Sequence, residues 1–253
     1  MKNSFGERIE EIVCQNNIMI PTHISIIMDG NGRWAELRSR ERVYGHKAGV
    51  ESVRDCCEYA AKIGVKYLSL FAFSQENWSR PEEEVNALMG LMAASIVKEV
   101  HLFYDNQIRL KVIGDLSRLD KDLVSKIEKI EDTTKDFSNL TVIIMLSYSG
   151  KWDLKQAAER YAIDYSDAIS KGENPEPLTE ELFASYLSTY GIPDPDLLIR
   201  TSGEQRISNY MLWQCAYTEF YFTETLWPDF RKEQFEEAIE NFSKRERRYG
   251  KIK

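Results

Sequence analysis

The sequence predicts an α/β protein of one domain, with a mostly parallel central β-sheet of about six strands covered by helices. Three observations indicate this fold class. Short apolar segments rich in β-branched and aromatic residues alternate with longer segments of helical period, as in βαβ units. These apolar segments are hydrophobic along most of their length, which is typical of strands buried on both faces. The 253 residues, 43% of them hydrophobic, are also enough for one large core.

Each predicted strand but the last is followed by a predicted helix. The strand segments read HISIIM, YLSLFAF, RLKVI, LTVIIML and DLLI. The helical segments between them are 46–63, 82–104, 120–135 and 152–169. Thr179, in the connecting stretch SKGENPEPLTEE, is expected to cap a further helix. Neither flank of that stretch changes in composition, so residues 1–253 are predicted to be a single domain.

The two ends of the chain are predicted to be helical. We expect a helical segment over residues 1–20 and a C-terminal helix and tail over 231–253. In the latter, the mixed acidic and basic residues from Arg231 to Arg248 indicate a solvated amphipathic helix.

Composition excludes several classes of protein. The net charge of -8 argues against general nucleic-acid binding, which needs clustered Lys and Arg. No apolar run approaches the roughly 20 residues of a transmembrane helix, and the N-terminus lacks the apolar stretch of a signal peptide. The four cysteines, Cys14, Cys56, Cys57 and Cys215, form no CxxC pair. We therefore expect reduced thiols, no structural zinc site and a cytoplasmic location.

Polar side chains follow four of the predicted strands. Ligands of open parallel sheets bind beyond the carboxyl ends of the strands. The residues at that edge are Asp29, then Ser74, Asn77 and Arg80, then Ser147 and Tyr148, and finally Arg200. One acid, several hydroxyl and amide groups and several arginines suit a phosphorylated ligand.

The segment DGNGRW, which begins at Asp29, is a candidate diphosphate site. Gly30 and Gly32 allow backbone N–H groups to approach an anion at a helix start. Asp29 would be a Mg²⁺ ligand, because Mg²⁺ is commonly held by one or two carboxylates with phosphate oxygens. The segment matches neither the Walker A spacing nor the dinucleotide fingerprint. An ordinary βα turn with a capping Asp is the competing interpretation.

Two further clusters carry cationic residues. RVYGHKAG places Arg42 and His46 before the second helix, and RTSGEQRIS carries Arg200, Arg206 and Ser208. The planar fork of arginine matches phosphate oxygens bidentately, so the second cluster is the stronger one on physical grounds. FSQENWSRPEEE alone is equally consistent with a surface loop before a capped helix.

The segment 82–104 has a wider apolar surface than one core stripe requires. Core packing is the simpler explanation. Its Met and Ala side chains could instead line a tunnel for a long apolar ligand.

From His23 to Gly250 the sequence closely resembles the cis-prenyltransferase family, and most of all its bacterial undecaprenyl diphosphate synthases. The resemblance rests on motifs in order along the chain. They are HISIIMDGNGRWA, GHKAGVESVR, FAFSQENWSRPEEEV, IGDLSRL, SGKWDL, DLLIRTSGEQRISNYMLWQCAYTEFYFTETLWPDF and RERRYG. One departure is LSYSGKWD, in which the family more often has Asn and Gly in place of Ser147 and Ser149.

The resemblance implies an enzyme that condenses isopentenyl diphosphate units onto farnesyl diphosphate with cis geometry. Its cofactor would be Mg²⁺ and its product a long polyprenyl diphosphate, undecaprenyl diphosphate for the cell-wall lipid carrier. It also implies a homodimer, with the aromatic run from Trp213 to Phe230 at the interface, and leaves contact with the inner membrane surface open. Two alternatives are a non-catalytic partner subunit, which retention of Asp29 and the arginines disfavours, and a phosphate-ester hydrolase, for which no activated nucleophile is evident.

The resemblance also implies roles for individual residues. Asp29, Asn31 and Asn77 would be catalytic, and Asp29 and Glu219 would serve the metal. The allylic diphosphate would bind at Gly30, Asn31, Gly32, Arg33, Trp34, Arg42, His46, Ser74, Trp78 and Arg80, with Glu84 at the start of the adjoining helix. Isopentenyl diphosphate would bind at Arg200, Arg206, Ser208, Arg248 and Gly250, the last two reaching a neighbouring active site. An elongated hydrophobic tunnel would be lined by Ala72, Met89, Met92, Ala93, Ala94 and Leu140.

Overall fold

The computed structural model describes residues 18–246, and in them six strands form one parallel sheet. The order across the sheet is β3-β4-β2-β1-β5-β6, and every neighbouring pair is parallel. The strands are β1 His23–Ile27, β2 Tyr67–Ser74, β3 Ile108–Ile113, β4 Leu140–Tyr148, β5 Leu197–Arg200 and β6 Glu219–Phe222. The predicted fold class is confirmed.

Helices connect the strands and cover the sheet. The helices are α1 Asn31–Glu36, α2 Arg42–Ile63, α3 Glu82–Lys98, α4 Val100–Asp105, α5 Lys121–Thr134, α6 Gly150–Ser170, α7 Glu180–Tyr186 and α8 Lys232–Ser243. Side-chain oxygens cap several of their first turns; for example, Thr179 accepts a hydrogen bond from the Leu182 N–H at 3.1 Å. The predicted cap at Thr179 is confirmed.

Alternate strand residues build two apolar layers. Ile24, Ile26 and Leu70 belong to the larger core, which α2 and α8 cover. Ile27 and Leu198 belong to a second cluster, which is completed by side chains of the segment before β6. Because each strand is buried on both faces, its sequence is apolar throughout, as parallel strands require.

The central strand β1 lies at the reversal of strand order. Its neighbours are β2, the next strand in the chain, and β5, which comes late in the chain. The register pairs Ile27 with Phe71 on one side and with Arg200 on the other. The residues that follow these three strands therefore meet at one edge, where open α/β sheets bind ligands.

Several details differ from the sequence-based expectations. The strand Glu219–Phe222 was not predicted, and the helix expected over 82–104 is interrupted at Glu99. Trp227 and Phe230 are core residues, 2% and 0% exposed, so that part of the aromatic run cannot form an interface. Residues 18–20 carry no regular structure, and the rest of the expected N-terminal helix lies outside the described residues.

The C-terminal helix α8 is confirmed up to Ser243, whereas Arg248 and Gly250 lie outside the described residues. Among residues 18–246, no helix is both long and apolar enough to cross a bilayer.

Candidate active site

Asp29 lies just beyond the carboxyl end of β1, at the centre of a group of donors. Its Oδ1 accepts a hydrogen bond from the Gly30 N–H at 2.7 Å and lies 3.4 Å from Nη2 of Arg33. Its Oδ2 accepts a hydrogen bond from Nη2 of Arg200 at 2.9 Å. Burial raises the pKa of the Asp29 carboxyl, but Arg200, Arg33 and the Gly30 N–H outweigh it, so that the pKa lies below its ordinary value. The carboxylate is therefore ionised at neutral pH.

The backbone of Asp29 is fixed by Thr201, a buried residue at the end of β5. Its Oγ1 accepts a hydrogen bond from the Asp29 N–H at 2.9 Å and donates one to the Asp29 carbonyl at 2.6 Å. Sequence reasoning missed this residue, although its position directly after Arg200 at a strand end was the available signal. Thr201 thus sets the orientation of the carboxylate relative to β5.

Arg200 links the two halves of the polar site. Its side chain is only 4% exposed, and besides Asp29 it donates to Oγ of Ser208 at 2.8 Å and to the carbonyl of Arg206. Its Nε is buried without a partner. By contrast, the Arg206 side chain is 62% exposed and pairs with Glu204. Arg200 is therefore a fixed cation, and Arg206 is a cation that can reorient toward a ligand.

The loop after β5 is held in sparsely populated backbone conformations. Ser202, Ser208, Asn209 and Met211 all have positive φ, between 45° and 77°. Such conformations cost about 1–3 kcal/mol each and persist only where surrounding contacts impose them. One such contact is the hydrogen bond from Asn209 Nδ2 to Glu76, at 2.7 Å. The loop that carries Arg206 and Ser208 is consequently tied to the loop after β2.

The helix α1 starts at the expected diphosphate segment. Gly30 has φ 104°, a conformation that favours glycine, and a methyl group at Gly32 would displace the Arg42 guanidinium. Arg42 also pairs with Glu36 at 2.7 Å and lies 3.8 Å from Glu84. Gly32 therefore lies beside Arg42, whereas Gly30 faces Leu226 and Ser202.

Asn31, Trp34 and His46 have different environments. Asn31 donates to the Met28 carbonyl at 3.2 Å, and its Oδ1 is buried without a partner. Burial, together with the charge of Arg80, lowers the pKa of His46 to about 4, so the imidazole is neutral at pH 7. Trp34 instead donates to Asp229 at 2.7 Å and is not among the residues lining the main cavity.

The segment after β2 forms a closed turn. Asn77 N–H donates to Ser74 Oγ at 3.3 Å, and Ser74 N–H donates to Asn77 Oδ1 at 3.1 Å. Trp78 Nε1 donates to Oγ of Ser147, a buried residue with φ 52°. Arg80 pairs with Glu84 at 3.0 Å. The reciprocal hydrogen bonds hold the Asn77 side chain beside the site.

A cavity of about 720 Å³ begins at these polar residues and continues between the sheet and helices α2 and α3. Its polar part includes Asp29, Asn31, His46, Ser74, Asn77, Arg80, Arg200 and Ser208. Its apolar part includes Val50, Val53, Leu70, Ala72, Leu88, Leu91, Met92, Ile96, Phe103 and Leu110. A polar mouth and an apolar interior suit a ligand with a charged head and a hydrocarbon tail.

Four of the six expected tunnel residues do not line this cavity. Met89 and Ala93 pack toward α5, and Ala94 is exposed. Leu140 is 1% exposed within the main core. Ala72 and Met92 do line the cavity, whereas α3 presents a face other than that of Met89, Ala93 and Ala94 to it. The tunnel role of the four remaining residues stays a prediction.

Glu219 does not share a site with Asp29 within one chain. It is the first residue of β6 and pairs with Leu197, the first residue of β5, whereas Asp29 follows the last residue of β1. The two carboxylates therefore lie toward opposite edges of the parallel sheet. Glu219 instead pairs with Arg245 at 2.9 Å. The expected role of Glu219 in metal binding within the chain is wrong.

The residues present fit a magnesium ion that is shared with a ligand. No cluster of three or more His, Cys, Asp or Glu side chains that could hold a metal occurs among the described residues. Asp29 supplies a carboxylate at the polar mouth and is 31% exposed, whereas the other two carboxylates that line the cavity, Glu76 and Glu99, are bound by Asn209 and Arg54. Because Mg²⁺ commonly takes one or two carboxylates plus phosphate oxygens and waters, Asp29 suits an ion that arrives with a diphosphate.

Comparison with known proteins places this geometry in a family. The family described as "Putative undecaprenyl diphosphate synthase" matches residues 27–250. An isoprenyl transferase of Chlorobaculum tepidum is 50% identical over 96% of this chain and 91% of its own length. A ditrans,polycis-undecaprenyl-diphosphate synthase, (2E,6E)-farnesyl-diphosphate specific, of Coxiella burnetii is 49% identical over 92% of this chain and 97% of its own length.

Solved structures agree. The crystal structure of lavandulyl diphosphate synthase from Lavandula x intermedia, in complex with dimethylallyl diphosphate, has a TM-score of 0.87 and 34% identity. The match covers 91% of this chain and 98% of the lavandulyl diphosphate synthase chain. A probable undecaprenyl diphosphate synthase from Campylobacter jejuni has a TM-score of 0.74 and 35% identity, covering 92% and 100% of the two chains.

The fold and the site thus define a prenyltransferase of the cis type. The chain belongs to the undecaprenyl diphosphate synthase family. It is an enzyme of polyprenyl chain elongation, as the resemblance implied.

Proposed function

We propose that this enzyme extends farnesyl diphosphate by successive additions of isopentenyl diphosphate and ends at undecaprenyl diphosphate. One observation carries the proposal: the cavity joins an anion-binding mouth, with Asp29 and Arg200, to an apolar interior. A growing prenyl diphosphate has the same two parts. The farnesyl specificity in the printed names of relatives supports the choice of starter.

The allylic diphosphate is assigned to the start of α1 and the residues around it. Gly30 and Gly32 let the backbone approach the phosphates, and Arg33, Arg42, Arg80 and Ser74 supply donors. Neutral His46 can donate or accept a hydrogen bond there without adding charge.

Isopentenyl diphosphate is assigned to Arg200, Arg206 and Ser208. Arg200 lies between Asp29 and Ser208, so this second diphosphate would bind next to the first. The proximity of the two diphosphates would bring the homoallylic double bond toward the allylic carbon. Asn31 and Asn77 line the same cavity and would face the space between the two diphosphates.

The chemistry follows from these positions. As the allylic carbon–oxygen bond breaks, negative charge accumulates on the leaving diphosphate, and the fixed arginines and helix-start N–H groups stabilise it. Mg²⁺ bound by Asp29 would neutralise part of the same charge. The isopentenyl double bond forms the new carbon–carbon bond, and loss of a proton restores a double bond in the longer product.

We also propose a homodimer. β6 is an edge strand, and its four residues are only partly buried. Tyr217, just before it, is 72% exposed. An exposed aromatic edge strand is a surface that proteins commonly cover by association. In the dimer, Arg248 and Gly250 would reach the active site of the partner, as the resemblance implies. Light scattering in solution tests this assembly.

We propose that the enzyme works in the cytoplasm and releases its product to the inner membrane surface. The product supports this proposal, because a long polyprenyl chain needs a bilayer after synthesis. Flotation with vesicles, with and without product, measures this contact.

Incubation of the purified chain alone with farnesyl diphosphate, isopentenyl diphosphate and Mg²⁺ tests the function. Mass analysis should give a ladder of products that ends at the undecaprenyl length. Absence of any condensation by the pure protein would instead support a non-catalytic partner subunit.

A further inference from the structure

An ion pair lies in the wall of the apolar cavity, far from the polar mouth. Arg54 of α2 donates to both carboxylate oxygens of Glu99, from Nε at 2.8 Å and from Nη2 at 2.7 Å. Glu99 lines the cavity together with Phe103 and Leu110. The roles assigned above to the diphosphate-binding residues leave this pair without a function.

The pair marks the distant end of the cavity. Glu84, at the mouth, and Glu99 are fifteen residues apart along α3, which corresponds to a rise of about 22 Å. Leu110, which also lines the cavity, pairs with Val142, and Val142 pairs in turn with Leu68 in the first half of β2. Phe103 is the cavity residue that follows Glu99 along the chain. The pair therefore lies toward the end of the cavity that is farther from the polar mouth.

Glu99 also occupies the break between α3 and α4. Its N–H donates to the Ser95 carbonyl at 2.8 Å, and its φ and ψ are -89° and 6°. The bidentate contact with Arg54 thus fastens this break to α2. Arg54 continues outward to Glu51, at 2.5 Å, whose side chain is 47% exposed. The pair therefore spans the seam between the two helices that enclose the cavity.

Burial of the Arg54 and Glu99 charges destabilises the folded protein unless the two side chains remain paired. The Glu99 side chain is only 13% exposed and that of Arg54 29% exposed. The hydrogen bonds from Arg54 hold the pKa of the Glu99 carboxyl below its ordinary value despite partial burial. Removal of one partner would leave a desolvated charge, whereas replacement of both by apolar side chains is often tolerated.

The volume of the cavity is too small for the proposed product. A cavity of about 150 Å³ that holds benzene corresponds to about 25 Å³ per carbon atom. At that density, 720 Å³ accommodates about 29 carbon atoms, roughly half of the ~55 in an undecaprenyl chain. The later isoprene units therefore need space beyond the end of the cavity that Glu99 lines.

We propose that the Arg54–Glu99 pair is the gate at this end and determines the length of the product. The proposal rests on the proposed function, because only a growing chain would reach the gate. The tail passes when α2 separates from the α3–α4 break, and the ion pair opposes that separation. Elongation stops when further burial of the tail no longer offsets disruption of the pair.

Two variants should change product length in opposite directions. In Arg54→Met, the Glu99 carboxylate loses its partner and remains at the end of the cavity, so products should be shorter by about one unit or more. In the double variant Arg54→Met/Glu99→Met, the seam is apolar and products should be longer by about one unit or more. Mass analysis of the ladders gives both results.

Asp55→Asn is the matched control. Asp55 follows Arg54 on α2 and pairs with Arg231 at 3.1 Å, but it does not line the cavity. Its variant should give the wild-type ladder. An unchanged ladder in Arg54→Met, an unchanged or shorter ladder in the double variant, or an altered ladder in the control would each overturn the gate.

A binding measurement separates the gate from the proposed function. The affinities of geranyl, farnesyl, geranylgeranyl and longer polyprenyl diphosphates give the length at which binding stops improving. This limiting length should fall in Arg54→Met and rise in the double variant. If the wild type makes no ladder, the proposed function fails, but the binding series still tests the gate. The same limiting length in the wild type and in both variants would reject the gate.

Discussion

At the scale of single residues, Asp29 and Arg200 depend on each other. Arg200 is nearly inaccessible, and its charge is compensated by the Asp29 carboxylate and by oxygen atoms of Arg206 and Ser208. Asp29 in turn remains ionised because Arg200 and Arg33 offset its burial. A change at either residue therefore alters both proposed diphosphate sites.

Asp29→Ala should lower turnover by about 100-fold or more, because the metal and the leaving diphosphate lose their carboxylate. The same change leaves part of the Arg200 guanidinium unsatisfied, at a cost of about 1–3 kcal/mol in the free energy of unfolding. Steady-state kinetics and urea unfolding measure the two effects. Asp132→Ala, at an exposed position of α5, is the control and should affect neither. Near-normal turnover of Asp29→Ala at saturating Mg²⁺ would contradict the assignment.

Arg206→Ala should weaken the use of isopentenyl diphosphate selectively. Its guanidinium is exposed and contacts Glu204, so its removal disturbs little of the folded protein. Loss of a charge-assisted hydrogen bond of about 1.5–3 kcal/mol corresponds to a rise in KM for isopentenyl diphosphate of about 10- to 100-fold. Arg200→Ala should instead raise both KM values, because Arg200 also contacts Asp29.

Initial rates, with each substrate varied in turn, give the two KM values for each variant. Arg160→Ala on α6 is the control, because it removes one positive charge far from the site. A larger effect of Arg206→Ala on the KM for farnesyl diphosphate would show that the two sites are reversed.

At the scale of elements, α3 carries two apolar surfaces with different tasks. Leu91 lines the cavity, and Met89 and Ala93 pack in the cluster that joins α3 to α5. Met92 and Ile96 lie between these surfaces and contact both. The sequence could not separate these surfaces, because a helix that is apolar on most sides gives no single direction of burial.

Ser95→Leu and Ala93→Leu should separate the two surfaces. Ser95 lines the cavity, so a larger side chain there should fill space for the prenyl chain and shorten the products by about one unit or more. Ala93→Leu should overpack the contact with α5 and lower the free energy of unfolding by about 1–3 kcal/mol, with the product ladder unchanged. Mass analysis and thermal unfolding of both variants provide the comparison. Shortening by Ala93→Leu alone would restore the original assignment of Ala93 to the tunnel.

At the scale of the whole molecule, the buried His23 and the partly buried His46 link stability to pH. Burial lowers the pKa of His23 to about 4, and burial together with the charge of Arg80 does the same for His46. His23 is also enclosed by hydrogen bonds with the Pro193 carbonyl and Ser69 Oγ, at 2.6 and 2.7 Å. The unfolded chain binds these protons near pH 6.5, whereas the folded chain binds them only near pH 4.

The free energy of unfolding should therefore be insensitive to these histidines above pH 7 and should decrease as the pH falls from about 6.5 toward 4. Each histidine contributes a slope of about 1.4 kcal/mol per pH unit within that window. Urea unfolding at pH 5.5 and 4.5 should give a smaller slope for His46→Gln than for the wild type, by about that amount. Equal slopes would mean that His46 carries a proton in the folded protein.

The sequence by itself determined the alternation of strands and helices and the identity of the polar edge. Strands buried on both faces must be apolar throughout, so the five predicted strands were recognisable, and Asp29, Asn77 and Arg200 follow their carboxyl ends. β6 was missed because its EFYF sequence lies within a longer aromatic run that has no clear turn signals.

Only the tertiary structure decided which residues share a space. The direction and register of β6 place Glu219 away from Asp29, and the orientation of α3 turns Ala94 toward solvent. The break at Glu99 and its contact with Arg54 likewise depend on how α2 packs beside α3. The physical reason is that local periodicity specifies an element, whereas the face it presents to a cavity depends on contacts between residues far apart in the chain.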